Sequence, residues 1–512
     1  MKLLTAQQIK EWDRFTIQHE PVSSVDLMER AAQSCIEPIL KIYHSLQRKN
    51  IVVFCGKGNN GGDGLAIARL LLSKHIPVAV FILDESEKSS DDFKINYARL
   101  LKEDQVKLET ISSKTVFPDF HSSGILVIDA LFGTGVQSPL HGIAADLVNH
   151  INALNVPVVA IDLPSGLPAS ADATFIGEGV AIIKAKHTIT FQVPKLSFFH
   201  TEFAACVGEF TVTDIGLDAS FAHQVESAFF YSNIDSIRPL LKQRPKFAHK
   251  GVFGHLLTVG GSFGKMGAIE LTSRAALRTG CGLVTAYLPK AGYTIMQTAL
   301  PECMVETDDE LLEIRHFPDQ MEPYQAAGIG PGMGTHPQTI QGLKKWLSRI
   351  QLPCILDADA LNGIATFLNR EETDFRFPTD CIITPHPKEF DRLAGTSKHS
   401  MERLERQIQF AKMHQVVVVL KGAHTSVALP DGHVFFNASG NVALATAGSG
   451  DVLSGIIGSL LAQGYEASDA ALLGVYLHGY CGDRIVEKQK TLIASDIIEI
   501  IPVALKALYG ER

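Results

Sequence analysis

The chain has 512 residues, room for roughly two to four domains at about 150 residues each. It is 46% apolar and 20% charged, with a net charge of -9, a sequence pI near 6.1 and mean hydropathy +0.12. These values argue against long disorder and against a broad nucleic-acid or anionic-membrane surface. The N-terminal MKLLTAQQIKEWDR turns polar at Thr5, too early for a signal-peptide core, and no apolar run reaches the ~18 residues of a membrane span. Eight cysteines without a C-x-x-C pair suggest neither a zinc ribbon nor a disulfide scaffold. A reduced, cytoplasmic protein is expected.

From Ile51 to about Thr213, short apolar runs (51–55, 77–83, 125–130, 157–162, 187–191) alternate with helix-length amphipathic stretches. β-branched runs at that spacing predict a buried parallel sheet in a βαβ array. The first run leads into Gly56-Lys57-Gly58-Asn59-Asn60-Gly61-Gly62-Asp63-Gly64 and then a helix pattern. Glycines there let backbone N–H groups approach an anionic ligand at a helix N-terminus. The spacing is neither the dinucleotide fingerprint nor a Walker loop. Two more carboxylates stand at strand ends: Asp129, before Gly133-Thr134-Gly135, and Asp162, before Pro164-Ser165-Gly166. One such Asp is ordinarily a helix cap. Three polar loops at the carboxyl ends of parallel strands predict a ligand site.

NNGGDG (59–64), DALFGTG (129–135) and DLPSG (162–166), preceded by LMERA (27–31), resemble the epimerase domain of NAD(P)H-hydrate repair enzymes. The resemblance implies a hydrated nicotinamide nucleotide bound by Asn59, Asn60, Gly61, Gly62 and Asp63, by Gly133, Thr134, Gly135, Val136, Gln137, Ser138 and Pro139, and by Asp162. It also implies potassium held near Asn60, Asp129 and Ser165, a hard-oxygen set. Asp162 is the expected acid/base. Segment 192–203, QVPKLSFFHTEF, is bulkier and more aromatic than the small turn implied there, and is expected to alter the pocket rim.

A second array begins at 255–261 and continues through 282–288, 354–359, 381–385 and 416–422. Between the arrays, 214–250 lacks the alternation, and the junction is expected near 230. Three apolar-rich stretches (452–463, 467–488, 494–508) predict helices packed on the second sheet. Ala447-Gly448-Ser449-Gly450-Asp451 precedes the first of them, so backbone N–H groups form an anion hole with a carboxylate at its edge. Lys421-Gly422-Ala423-His424-Thr425 ends an apolar strand, Gly330–Gly334 ends another, and Asp357 and Asp359 end a third. His386 lies between two prolines at a strand end, with Lys388 and Glu389 expected at the surface.

VGGSFGKMGA, GPGMG, LDADALN, TPHPKEF, KGAHT and AGSGDVLSG resemble, in order, the nucleotide-dependent NAD(P)H-hydrate dehydratase domain of ribokinase-like fold. The resemblance implies ADP, or ATP, bound by Lys421, Gly422, Ala423, His424 and Thr425 and by Asn441, Gly448, Ser449 and Gly450. It implies the hydrate on Ala268, Gly332, His386 and Asp451, with Asp451 as base and magnesium accompanying ADP. Asp357 is expected to support that metal through water.

The sequence therefore predicts two three-layer α/β/α domains. Residues 1–225 are Rossmann-like and carry the epimerase; 230–512 are ribokinase-like and carry the ADP-dependent dehydratase. Self-association is expected, and hydrated NADH or NADPH and ADP are the expected partners. Two alternatives stay open: a vitamin-precursor kinase with an N-terminal regulatory domain, and a first half that binds without catalysis.

Overall fold

The computed structural model describes residues 1–85, 87–103, 106–120, 124–177, 179–368 and 375–510. They divide into two compact units, one of Lys2–Ser227 and one of Met1 with the chain from Ala228 onward.

In the first unit, seven strands form one sheet: β1 Asn50–Cys55, β2 Val78–Leu83, β3 Lys107–Ile111, β4 Ile125–Ala130, β5 Val158–Ile161, β6 His187–Phe191 and β7 Glu209–Thr213. Their order is β3-β2-β1-β4-β5-β6-β7 and every pairing is parallel. The five apolar runs became the strands between the edges. The edge strands β3 and β7 carry Lys107, Glu109, Glu209 and Thr211, which wet edges tolerate, so no apolar run announces them. One face of the sheet packs Ile51 and Val53 against Ala32, Ile36, Leu65 and Leu71, and the other packs Val52 and Phe54 against Leu147 and Val148. The order reverses between β1 and β4, which opens a crevice at their carboxyl ends.

In the second unit, ten strands run in the order β11-β10-β9-β12-β13-β14-β15-β16-β17-β8. They are β8 Phe229–Ser232, β9 His255–Val259, β10 Leu283–Pro289, β11 Met304–Asp308, β12 Ala326–Ile329, β13 Cys354–Leu356, β14 Cys381–Ile383, β15 Val417–Leu420, β16 Ser426–Ala428 and β17 Val434–Asn437. β11 through β15 pair in parallel, β16 is antiparallel to both neighbours, and β17 is parallel to β8. Strand β8 lies inside the 214–250 stretch that shows no alternation in the sequence. Here the order reverses between β9 and β12.

The three C-terminal apolar stretches are helices Ser449–Ala462, Ala467–Val486 and Ala494–Tyr509. The first is buried almost all round, because Gly455 packs directly on helix Met266–Thr279: a Cβ there would lie 2.2 Å from the Thr272 carbonyl oxygen. All eight cysteines are unpaired. Among the described residues, no helix is long and apolar enough to cross a membrane.

Candidate functional sites

In the first unit, the crevice beside β1 and β4 opens into a cavity of about 780 Å³. Asn59, Asn60, Asp63, Asp162 and the whole 133–139 loop line it, as do Asp13 and Lys195. Gly61 and Gly62 do not. Their missing side chains serve packing: a Cβ on Gly61 would sit 1.7 Å from the Gly56 carbonyl oxygen, and one on Gly62 would strike the Met28 sulfur. The glycine content of this loop is thus partly the tight seat of helix Asn59–Ser73 on its own strand.

Asp129 is fully buried at the end of β4. It accepts hydrogen bonds from the Ser165 amide at 2.8 Å, the Ser165 hydroxyl at 2.6 Å and the Leu131 amide at 3.2 Å. Burial pushes its carboxyl up to about 6 against the opposing pull of the Ser165 donors. Asn60 Nδ2 donates to the Phe132 carbonyl at 2.9 Å, while Asn60 Oδ1 is buried without a partner. The Phe132 amide and carbonyl both meet the Ser165 hydroxyl, at 2.9 and 3.2 Å. Asn60, Asp129 and Ser165 are therefore tied together through Phe132. An orphaned amide oxygen beside a carboxylate and a hydroxyl is an all-oxygen donor set that fits a hard monovalent cation.

Asp162 holds a left-handed backbone, φ 62°, which is uncommon outside glycine. Its Oδ1 accepts from Lys195 Nζ at 2.6 Å, the Phe191 amide at 3.2 Å and the Thr190 hydroxyl at 3.3 Å. Its other oxygen accepts no hydrogen bond among the described residues. Lys195 is almost fully buried and also donates to Thr190 Oγ1 at 2.9 Å and the Val193 carbonyl at 3.2 Å. Sequence reasoning passed over Lys195, seeing only the bulk of segment 192–203. That bulk does not shape the rim: Phe198 and Phe203 are buried, and the Phe198 ring packs at 5.3 Å from Phe210. What the segment gives the cavity is Gln192 and Lys195. Asp63 is 8% exposed, and burial followed by the charges of Asp162, Asp13 and Asp92 raises its carboxyl well above the usual range.

In the second unit, Ala268 and Gly332 meet at the β9/β12 reversal, where a Cβ on Gly332 would be 3.1 Å from the Ala268 Cβ. Asp451 lies in the first turn of helix Ser449–Ala462, which Gly448 caps with φ 82°. Burial first, then Asp357, raise Asp451 to about 6 while Lys421 opposes them. Asp357 is held by three donors of the protein. Its Oδ1 takes Lys421 Nζ at 2.9 Å and the Ala358 amide at 2.8 Å, and its Oδ2 takes the Ser454 hydroxyl at 2.6 Å. Burial alone would lower Lys421, yet Asp357 holds the ammonium above its ordinary value. That ammonium sits next to the anion hole, 3.5 Å from where a Gly450 Cβ would be.

His386 caps helix Pro387–Ala394: its Nδ1 accepts from the Lys388 and Glu389 amides, and Glu389 bonds back to the His386 amide at 2.9 Å. Glu389 is buried rather than at the surface, because a reciprocal cap turns it inward. The Asn441 amide group is engaged with Asp483 at 2.8 Å and the Ala443 amide at 3.0 Å. Ser449 is held by the half-buried His478, 3.0 Å from Oγ to Nε2; desolvation lowers that imidazole to about 4. Nothing in the sequence pattern marks His478.

Two family models match. Residues 256–503 match that described as NAD(P)H-hydrate dehydratase, and residues 24–197 match that described as YjeF-related protein N-terminus. A bifunctional NAD(P)H-hydrate repair enzyme of Moorella thermoacetica is 37% identical over 100% of this chain and 98% of its own. One of Escherichia coli is 34% identical, covering 97% of this chain and 92% of the relative. Among solved structures, an ADP/ATP-dependent NAD(P)H-hydrate dehydratase of Bacillus subtilis, co-crystallised with ATP and Mg2+, is 30% identical over 55% of this chain and 98% of its own, with a TM-score of 0.48. Likeness of that identity along the entire length decides the family: the chain belongs to the bifunctional NAD(P)H-hydrate repair enzymes.

Proposed function

We propose that the first unit interconverts the R and S forms of hydrated NADH and NADPH, and that the second returns the S form to NAD(P)H as ADP becomes AMP and phosphate. The observation that carries this reading is the full-length likeness to bifunctional repair enzymes, which spans both units.

In the first unit, Asn59–Asp63 and 133–139 hold the hydrate against the carboxyl edge of the sheet, and the free oxygen of Asp162 moves the proton that accompanies the C6 hydroxyl. Lys195 keeps that carboxylate charged and aimed. Asn60, Asp129 and Ser165 would hold potassium, which supplies a fixed positive charge where the loops after β1 and β4 meet.

In the second unit, Ala268, Gly332 and His386 position the hydrate, while Lys421–Thr425, Asn441 and Gly448–Gly450 take the nucleotide. Asp451 accepts the proton of the C6 hydroxyl as its oxygen attacks the terminal phosphorus and the bond to AMP breaks. The C6–O bond then breaks with departure of phosphate, and loss of a C5 proton restores the ring double bond. Backbone N–H groups at 448–451 and the Lys421 ammonium face the charge that builds on phosphorus-bound oxygens. Magnesium bound with the nucleotide would neutralise phosphate charge, and Asp357, beside Lys421, would support it through water.

Unpaired cysteines suit a reducing compartment, and we place the protein in the cytoplasm. Self-association is expected and is read by light scattering. The test of function is a repair assay on mixed R and S hydrates with ADP or ATP, magnesium and potassium, following reduced-nicotinamide absorbance. Recovery of both epimers is expected with ADP. A stable phosphorylated hydrate without recovery would overturn the dehydratase reading in favour of a kinase.

A further inference from the structure

Moving a hydroxyl from one face of C6 to the other by loss and re-addition of water takes two proton transfers on opposite sides of the ring. The leaving oxygen gains a proton as the C6–O bond breaks and the N1 lone pair forms a planar iminium. The entering water loses a proton as the new C6–O bond forms. A single carboxylate on one side of a planar ring serves one of these faces, and Asp162 is the carboxylate at the carboxyl edge of the sheet. The need for a second group on the other face rests on the epimerase reading of the first unit.

Asp13 lies on helix Ala6–His19, which is no part of the sheet, and lines the same cavity as Asp162, Asp63 and Lys195. Its carboxyl makes no hydrogen bond among the described residues. Its position is nonetheless fixed from both sides. Trp12 Nε1 donates to the Asp218 carbonyl at 2.7 Å, and the Asp218 amide donates to the Thr16 hydroxyl at 3.0 Å. Ile215 and Leu217, just ahead of that anchor, line the cavity too. Asp162 enters from the carboxyl edge of the sheet, as does Asp63 after β1, whereas Asp13 enters from the helical wall. An unpartnered and largely buried Asp63 in the same space marks a cavity whose polar groups are not satisfied by the protein alone. Burial first, then the charge of Asp162, raise Asp13 to about 6, with Lys195 opposing, so both of its protonation states are populated near neutral pH.

We propose that Asp13 is a catalytic residue of epimerisation, transferring the proton at the C6 oxygen on the ring face opposite Asp162. In one direction the Asp13 carboxyl gives its proton to the departing oxygen, which leaves as water. Asp162 takes a proton from the entering water, and solvent restores both groups. In the other direction the roles exchange.

The test uses the full chain with purified S hydrate, no nucleotide, and oxygen-18 water, following R hydrate and its label by mass spectrometry. Wild type should gain one labelled oxygen per epimerisation. Asp13→Asn and Asp13→Ser should each lower kcat at least ~100-fold with KM little changed. Glu11→Gln, on the same helix but outside the cavity, should match wild type. Since Asp13 has no hydrogen bond to lose and burial already disfavours its charge, neither Asp13 variant should melt below wild type. A wild-type kcat in either Asp13 variant, a defect confined to KM, or R hydrate that keeps its original oxygen would overturn the proposal. A wild-type protein that epimerises no faster than the spontaneous rate would instead overturn the epimerase reading itself.

Discussion

Lys195 Nζ stands 2.6 Å from Asp162 Oδ1, and its side chain is only 1% exposed. Removing one member of such a pair leaves the other charge buried and uncompensated, a loss of about 3–5 kcal/mol. Lys195→Met should therefore lower the first unit's stability by that order in urea denaturation, and should lower epimerisation with it. Asp162→Asn should abolish epimerisation while hydrate binding persists, as shown by calorimetric titration of the hydrate. Unchanged epimerisation in Asp162→Asn would remove it from the mechanism.

Asp451 places activity and stability in opposition. Its carboxyl titrates near 6 in the fold against 3.8 unperturbed, so the folded chain holds this proton more tightly than the unfolded chain does. The stability it contributes is complete below about pH 4 and is lost as pH rises through about 6. Asp451→Asn should accordingly raise stability by ~1–2 kcal/mol at pH 7.5, and the gain should vanish near pH 4. The same variant should lose dehydration by a factor of ~100 or more, and wild-type dehydration should fall below about pH 6 as the base is protonated. Melting curves at the two pH values and a rate profile check all three.

The asymmetry between motif and partner marks what the sequence made legible. The NNGGDG and AGSGD loops announce themselves because helix starts that bind anions need glycine and small polar residues within a few positions. Asp129 and Ser165, 36 positions apart, are brought together in the sequence only by the family resemblance. Lys195 could not be tied to Asp162, nor Lys421 to Asp357, because those contacts join residues 33 and 64 positions apart, and no local pattern encodes them. Asp13 and His478 sit on amphipathic helices where one polar residue looks like surface. The polar edge strands β3 and β7 went unseen because sheet edges tolerate side chains that central strands exclude.

Potassium should leave a trace in stability as well as in rate. A cation bound only by the folded state stabilises by RT ln(1 + [L]/Kd), about 2.7 kcal/mol at one hundred times Kd. The first unit's melting temperature should rise with potassium more than with lithium, and Asn60→Ala should remove the difference, since it deletes the orphaned Oδ1. An equal response in Asn60→Ala would move the cation elsewhere.

Helix Ser449–Ala462 offers a test of how the anion hole is held. Gly455→Val would drive carbons into the Thr272 carbonyl, 2.2 Å from the first of them, and into Ala275. Overpacking of this kind costs about 1–3 kcal/mol and displaces backbone. Because Asp451 lies one turn earlier on the same helix, dehydration should fall along with the melting temperature, whereas Gly510→Ala, with open space around it, should leave the dehydration rate as in wild type.

Strand β8 bears on how the second unit could be produced by itself. Its four residues cover Val434–Asn437, whose backbone would otherwise end the ten-stranded sheet, and they add Phe230 stacked 4.7 Å from Phe435. The family match to this half begins only at residue 256. A recombinant fragment cut there would expose a flat aromatic ladder of open amides and carbonyls, the kind of margin that zips onto a neighbouring molecule and precipitates. A fragment begun at Ala228 carries its own hem.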